Sequence, residues 1–148
     1  MHFYSRKWVK PEDLNPNGSL FGGRVLSWID EEAAIFAMSR LGKDKHLVTK
    51  FISEINFVSS GMQGDVIEMG LDVAGLGRSS ITLRAVVRNK ISRDTIISID
   101  NIVFVNIGIA GKPEAHDWAH GAYYGTIEHG LEMALKRGPS VWADGKDR

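Results

Sequence analysis

Residues 13 to 36 run from a polar Asn15-Pro16 turn through Gly22-Gly23 into a long helical pattern that carries Asp30, Glu31 and Glu32. Pro16 fixes its own φ and disfavours helix at Asn15, so a loop precedes the helix. Gly22 and Gly23 let a ligand or another backbone approach the first, unpaired N–H groups. At about 100° per residue, Val25, Leu26, Ile29, Ala33, Phe36 and Ala37 form one apolar stripe. Glu31 points directly away from that stripe, while Asp30 and Glu32 lie roughly 80° to either side of its centre. Trp28, Ile35 and Met38 make the opposite side apolar as well, so the helix has little polar surface and belongs in the middle of a fold. Charge runs usually face water. On a helix like this one, a carboxylate at the stripe's edge is partly desolvated and becomes a candidate base or nucleophile.

Around this helix the chain reads as strands. Residues 2 to 9 are β-prone, residues 10 to 20 form a loop, and the helix spans 22 to 41, where Gly42 ends it. Four strands are expected at 46–57, 64–75, 78–90 and 94–107, from β-branched and alternating runs such as Ile96, Ile97, Ile99, Ile102, Val103 and Val105. Ser59-Ser60-Gly61, Gly75-Leu76-Gly77 and the stretch from Asn89 to Asp94 separate them. One strand, one long helix and four more strands with short connections predict an α+β fold, an antiparallel meander wrapped around the helix. Residues 1–110 form this domain. Residues 111–148 are an extension, with an amphipathic helix expected over 119–136 from Tyr124, Ile127, Leu131, Ala134 and Leu135, stopped by Gly138-Pro139. It is expected to pack on the same domain or on a partner subunit, and no chemistry is assigned to it.

The bulk properties narrow the function. At 148 residues the chain suits a single domain with a real core. Its 18 basic and 18 acidic side chains create no global field toward nucleic acid or an anionic membrane. The absence of cysteine removes disulfides, thiolate metal sites and a Cys nucleophile, and suits the cytoplasm. The first eight residues lack the apolar run of a leader, and the apolar stretch from Ile96 to Ile109 is broken by Asp100 and too short to span a bilayer. A cytoplasmic protein with no nucleic-acid or membrane partner is expected. Two motifs are set aside. Gly75-Leu76-Gly77-Arg78-Ser79-Ser80 lacks the third Gly of a dinucleotide fingerprint and joins two strands. His116 and His120 have the i, i+4 spacing of a zinc helix but no third ligand, and read as surface histidines; no metal is assigned.

At Asn15-Pro16-x-Gly18-x-x-Phe21-Gly22-Gly23-x6-Asp30 the sequence resembles the hot-dog acyl-CoA thioesterases, in the branch of the YciA-like bacterial enzymes and the brain-type acyl-CoA hydrolases. The likeness runs from about residue 2 to 108 and includes Val48-Thr49, Glu54, Phe57, Gly64-Asp65 and Gly77-Arg78-Ser79-Ser80. It departs after Val58, where Ser59 and Ser60 replace a basic residue and a Pro. The resemblance implies a hot-dog fold, homodimers with a continuous sheet, and hexamers built as trimers of dimers. It implies catalytic roles for Asp30 and Asn15, and CoA contacts at Gly77, Arg78, Ser79 and Ser80. Thioester hydrolysis needs a base or nucleophile, for which Asp30 serves, and donors for the oxyanion. The unpaired N–H groups at Gly22 and Gly23, at the positive end of the helix dipole, suit that oxyanion. Asn15 would orient the water or polarise the carbonyl, though without the motif it reads as an Asx-turn residue. No cofactor is expected, because CoA is part of the acyl-CoA substrate. A hot-dog dehydratase would use a His near the helix start, and none falls between His2 and His46. The alternative of another class is a non-catalytic acyl-CoA-binding or regulatory module, which would need no carboxylate at position 30.

Overall fold

The computed structural model describes residues 1–117 of the chain; the helix expected over 119–136, and with it His120, lies outside the described residues. Strand β1 (His2–Trp8) leads through a 3-10 turn (Pro11–Asp13) into α1 (Gly22–Leu41), followed by β2 (Leu47–Ile52), β3 (Ile55–Phe57), β4 (Val66–Leu76), β5 (Ser80–Asn89) and β6 (Thr95–Asn106). The strands form one antiparallel sheet in the order β1-β4-β5-β6-β2, with β3 also pairing β6. This is the α+β arrangement expected from the sequence, one long helix against one antiparallel sheet. Among the described residues no helix is long and apolar enough to cross a membrane.

The helix limits are those the glycines dictate. α1 starts at Gly22, and Gly42, at a φ of 114°, ends it by donating its N–H to the Met38 carbonyl at 2.9 Å. Val25, Ile29, Ala33, Phe36, Ala37 and Leu41 are buried, Leu26 is half-buried, and Glu31 is exposed between half-buried Asp30 and Glu32. The small side chains of Ala33 and Ala37 bring the helix close to the sheet. Alternate residues of three strands meet it: Ile67, Met69 and Leu71 on β4; Ile81, Leu83, Ala85 and Val87 on β5; Ile97, Ile99, Ile102 and Phe104 on β6.

Two expectations are corrected. The strand expected at 46–57 breaks at Ser53-Glu54, because its neighbour β6 carries a bulge. Leu83 pairs with Ile102 but Ala85 with Ile99, so β6 holds one residue more at Asp100-Asn101. The Ser53 N–H donates to the Asn101 carbonyl at 2.8 Å, and the Asn101 N–H to the Ser53 hydroxyl at 3.1 Å, where β2 ends and β3 begins. Only β4–β5–β6 is a true meander: β1 pairs with β4, and β2 and β3 lie on the far side of β6, since α1 carries the chain across the sheet between β1 and β2. On the side of the helix away from the main stripe, one sheet leaves apolar surface uncovered: Trp28 is half-buried against the core, and Ile35 and Met38 remain 40% and 39% exposed.

The face of the sheet turned from the helix carries a buried charge. Glu68 on β4 is 3% exposed, and its Oε1 accepts from Arg88 Nε at 2.7 Å and Arg93 Nη1 at 3.0 Å, with Lys90 Nζ 3.6 Å from Oε2. Burial pushes the Glu68 carboxyl up, but the Arg88 hydrogen bond and the charges of Arg88, Lys90 and Arg93 outweigh it and hold the group below the ordinary glutamate value. Glu68→Gln should lower stability by about 2 kcal/mol at neutral pH, since it leaves the cations facing a neutral amide. A carboxyl held low contributes stability above the unfolded value near 4.3, and loses it as pH falls through the lower folded value. Urea unfolding should show a gap between the two proteins at pH 7 that closes below about pH 4. An equal gap at both pH values would contradict the assignment.

Candidate active site

The loop before α1 is built around two side chains that organise its backbone. Asp13 is 4% exposed; its carboxylate accepts from the Lys10 N–H at 2.9 Å and meets Arg24 Nε at 3.3 Å, and its carbonyl accepts from the Phe21 N–H at 2.9 Å. This ties the loop to the first turn of the helix. Asn15 organises the next turn. Its Oδ1 accepts from the N–H groups of Asn17 at 2.9 Å and Ser19 at 3.2 Å, and its Nδ2 donates to Ser19 Oγ at 2.9 Å. Gly18, at a φ of 81°, closes the turn by donating to the Asn15 carbonyl at 3.0 Å. The Asx-turn reading of Asn15 is therefore realised in full, and the second amide hydrogen is left over.

Behind this turn opens a cleft of about 420 Å³, lined by Asn15, Ser19, Leu20, Gly22, Val25 and the segment from Phe57 to Gly61, with Ile96 and Ile97 at its base. Gly22 belongs there for a steric reason. A Cβ on it would lie 2.9 Å from the Phe57 ring. Among the described residues no hydrogen bond uses the N–H of Gly22 or Gly23; the first helical amides that are engaged are those of Arg24 and Val25, which donate to the Phe21 carbonyl at 3.0 and 3.2 Å. Two free donors thus stand at the helix N-terminus, one of them in the wall of the cleft.

Asp30 lies eight residues further on, about 12 Å along the helix axis. It does not line the cleft. Its Oδ1 accepts from Thr49 Oγ1 at 2.7 Å, and among the described residues Oδ2 has no partner. Thr49 sits on β2, the strand at the open edge of the sheet, where Val48 and Phe51 are 39% and 55% exposed. The chain therefore brings Asn15 and Gly22 together but holds Asp30 apart from them. Sequence reasoning found the carboxylate and missed its holder, because a Thr on a strand carries no sign of which helix it will face. Ser19 was missed likewise.

Gly77, Arg78, Ser79 and Ser80 form the tight turn joining β4 to β5, closed by the Gly77 N–H donating to the Ser80 carbonyl at 2.9 Å. A Cβ at Gly77 would collide with the Ser80 hydroxyl. His116 is not the surface histidine that its sequence context suggests. It is 2% exposed and lies against this turn, with Nε2 3.1 Å from the Ser80 carbonyl.

The thioesterase superfamily model matches residues 17–96, which include Gly22, Gly23, Asp30 and the 77–80 turn but neither Asn15 nor His116. An uncharacterized acyl-CoA thioester hydrolase of Buchnera aphidicola is 34% identical over 73 residues, 49% of this chain and 53% of that protein. Another, from Haemophilus influenzae, is 33% identical over 79 residues, 53% of this chain and 50% of that protein. The chain spans about half the length of the curated relatives it matches. Among solved structures, a hexameric thioesterase of Yersinia pestis is 30% identical with a TM-score of 0.69, over 77% of this chain and 93% of that one.

The hydrogen bonds around Asn15 fix what its loss should do. Asn15→Ala should cost about 1–2 kcal/mol in urea unfolding, because two backbone donors and the Ser19 hydroxyl lose their partner. Asn15→Asp keeps the two acceptor bonds and should cost less. The opposite ranking would show that the turn does not depend on Oδ1.

Proposed function

Because the chain belongs to the thioesterase superfamily, we propose that it hydrolyses acyl-CoA thioesters to free CoA and a carboxylic acid. The observation that carries this reading is the state of Asp30: half-buried on the core helix, one carboxylate oxygen held by Thr49 and the other unengaged among the described residues. A carboxylate placed so is oriented for proton or acyl transfer. As a base it takes a proton from water while the resulting hydroxide adds to the thioester carbonyl. As a nucleophile it adds to that carbon itself, and water then cleaves the acyl-carboxylate anhydride. In both routes the oxyanion forms toward the free N–H groups of Gly22 and Gly23, aided by the helix dipole, and collapses with loss of the CoA thiolate. The thiolate is protonated by the proton Asp30 took from water in the first route, and by one released from water in anhydride hydrolysis in the second. Asn15 offers its remaining amide hydrogen to the water or the carbonyl. Gly77, Arg78, Ser79 and Ser80 contact the CoA portion, and no cofactor enters the chemistry.

One chain holds the donors and the carboxylate apart, so the reading includes a homodimer that joins them. The edge of β2, which has no strand neighbour on its outer side among the described residues, is the surface for it, flanked by exposed Val48 and Phe51 and directly beside Asp30. Assembly of such dimers into a trimer of dimers would match the relative named as hexameric. The alternative of a non-catalytic acyl-CoA-binding module leaves the held carboxylate without a purpose.

A panel of short, medium and long acyl-CoAs, followed with a thiol reagent, tests the activity, and a chain without cysteine adds no background. Turnover is expected. None above the uncatalysed rate would end the hydrolase reading and leave the binding module. Asp30→Asn should lower kcat by about a hundredfold or more with little change in ligand affinity, while Glu31→Gln, on the exposed side of the helix, should stay near wild type. Equal losses would remove Asp30 from its role. Activity should also fall with dissociation on dilution, and sedimentation with parallel assays would show it; a fully active single chain would refute the two-chain site.

A further inference from the structure

The turn between β4 and β5 is held with every one of three successive carbonyls drawn inward. The Arg78 carbonyl accepts from the His116 N–H at 3.2 Å, the Ser79 carbonyl from the Asn106 N–H at 2.7 Å, and the Ser80 carbonyl from the Gly77 N–H at 2.9 Å. The His116 ring reaches the Ser80 carbonyl a second time, through Nε2 at 3.1 Å. A carbonyl only accepts, so this geometry assigns the hydrogen to Nε2. His116 thus grips both ends of the Arg78-Ser79-Ser80 segment, one with its backbone and one with its ring, from a position 2% exposed.

The consequence lies on the other side of the turn. With its carbonyls committed, the segment leaves the N–H groups of Arg78 and Ser79 unengaged among the described residues, beside the exposed Arg78 side chain. Adjacent free amides next to a guanidinium are donors for a phosphate. A short surface turn closed by one bond of its own would otherwise have to be ordered by the ligand, at the ligand's expense in affinity. The approach of His116 is prepared nearby. Asn106, 4% exposed, donates from Nδ2 to the Glu114 carbonyl at 3.0 Å, and its own carbonyl accepts from the Glu114 N–H at 2.9 Å, which turns the chain back onto the hairpin.

We propose that His116 is a positioning residue for recognition of the phosphorylated nucleotide end of CoA, pre-ordering the Gly77–Ser80 turn so that its amides and Arg78 face the phosphates. The proposal rests on the reading that this turn meets CoA. It places a binding determinant in residues beyond the segment that matches the superfamily, which ends at residue 96.

The test separates nucleotide recognition from general damage. Wild type, His116→Leu, His116→Asn and His116→Gln are compared on the best acyl-CoA of the panel and on the acyl-pantetheine with the same acyl group, which has the thioester but no nucleotide. His116→Leu should raise KM for the acyl-CoA about tenfold with kcat within twofold, and leave KM for the acyl-pantetheine unchanged. The Gln amide can donate to the Ser80 carbonyl and should recover most of the loss. The Asn amide is too short to do so, should behave as Leu, and takes its place if Leu does not fold. The proposal is overturned if no KM changes, if both substrates are affected alike, or if Gln is no better than the shorter side chains. Calorimetry with free CoA keeps the clamp distinct from the hydrolase reading. If wild type cleaves no acyl-CoA, weaker CoA binding by Leu or Asn, rescued by Gln, still supports the clamp. Equal affinities, or no CoA binding by wild type, overturn it.

Discussion

A helix that is apolar on nearly every side has to be covered, and the packing of α1 against its sheet sets everything else in this molecule. Ala33 and Ala37, with no exposed surface, let the helix settle onto the β4–β5–β6 face, and Tyr4 closes one flank with its ring 5.4 Å from that of Phe36. Lys7 reaches Glu32 at 3.8 Å on the same side. The opposite flank is β2, whose outer edge has no neighbour among the described residues. Because the helix is fixed in the core, its free N-terminal amides and Asp30 are fixed too. A site built on a buried helix keeps its geometry without help from loops.

What the sequence discloses is what local rules decide. Gly22 and Gly42 bound the helix because glycine stands where helical hydrogen bonding begins or stops, and the apolar period alone separates exposed Glu31 from half-buried Asp30 and Glu32. What it hides is decided by a neighbour. The break at Ser53-Glu54 follows a bulge some 45 residues further along the chain, at Asp100-Asn101. Glu68 alternates with the core-facing Ile67 and Met69 yet is buried, because Arg88 stands opposite it in the β4–β5 ladder and the turn with positive φ at Arg93 adds Lys90 and Arg93. His116 is hidden in the same way. Its spacing from His120 suggests a metal helix or a wet surface, while its actual partners are the carbonyls of a hairpin lying nearly forty residues earlier.

The candidate site divides along the same line. Its residue types are legible, since a helical carboxylate, a Gly-Gly helix start and an Asx turn each follow from short-range chemistry. Their mutual placement is not. Asn15 is consumed largely by its own turn, Asp30 is oriented by a Thr on a distant strand, and the cleft wall opposite Gly22 is Phe57. Nothing in residues 13 to 36 says that the carboxylate will stand at the sheet's open edge and not in the cleft.

On the proposed reading a chain with balanced charge must hold a strongly anionic substrate, and its solution is to use backbone donors in preference to surplus cations. At the helix start, the carbonyls four residues before Gly22 and Gly23 lie outside the helix, so no helical acceptor engages their amides. At the hairpin, the carbonyls of Arg78, Ser79 and Ser80 are all engaged, and among the described residues the N–H groups of Arg78 and Ser79 are left over. The two devices differ in origin but share a property. The first adds no charge and the second only that of Arg78, so neither builds the broad basic patch that would draw nucleic acid or anionic membranes without discrimination. Selectivity then depends on how rigidly the amides are aimed, and rigidity comes from buried partners: the α1 core behind Gly22, and Asn106 with His116 behind the turn. On that reading, side chains that decide ligand recognition need not touch the ligand.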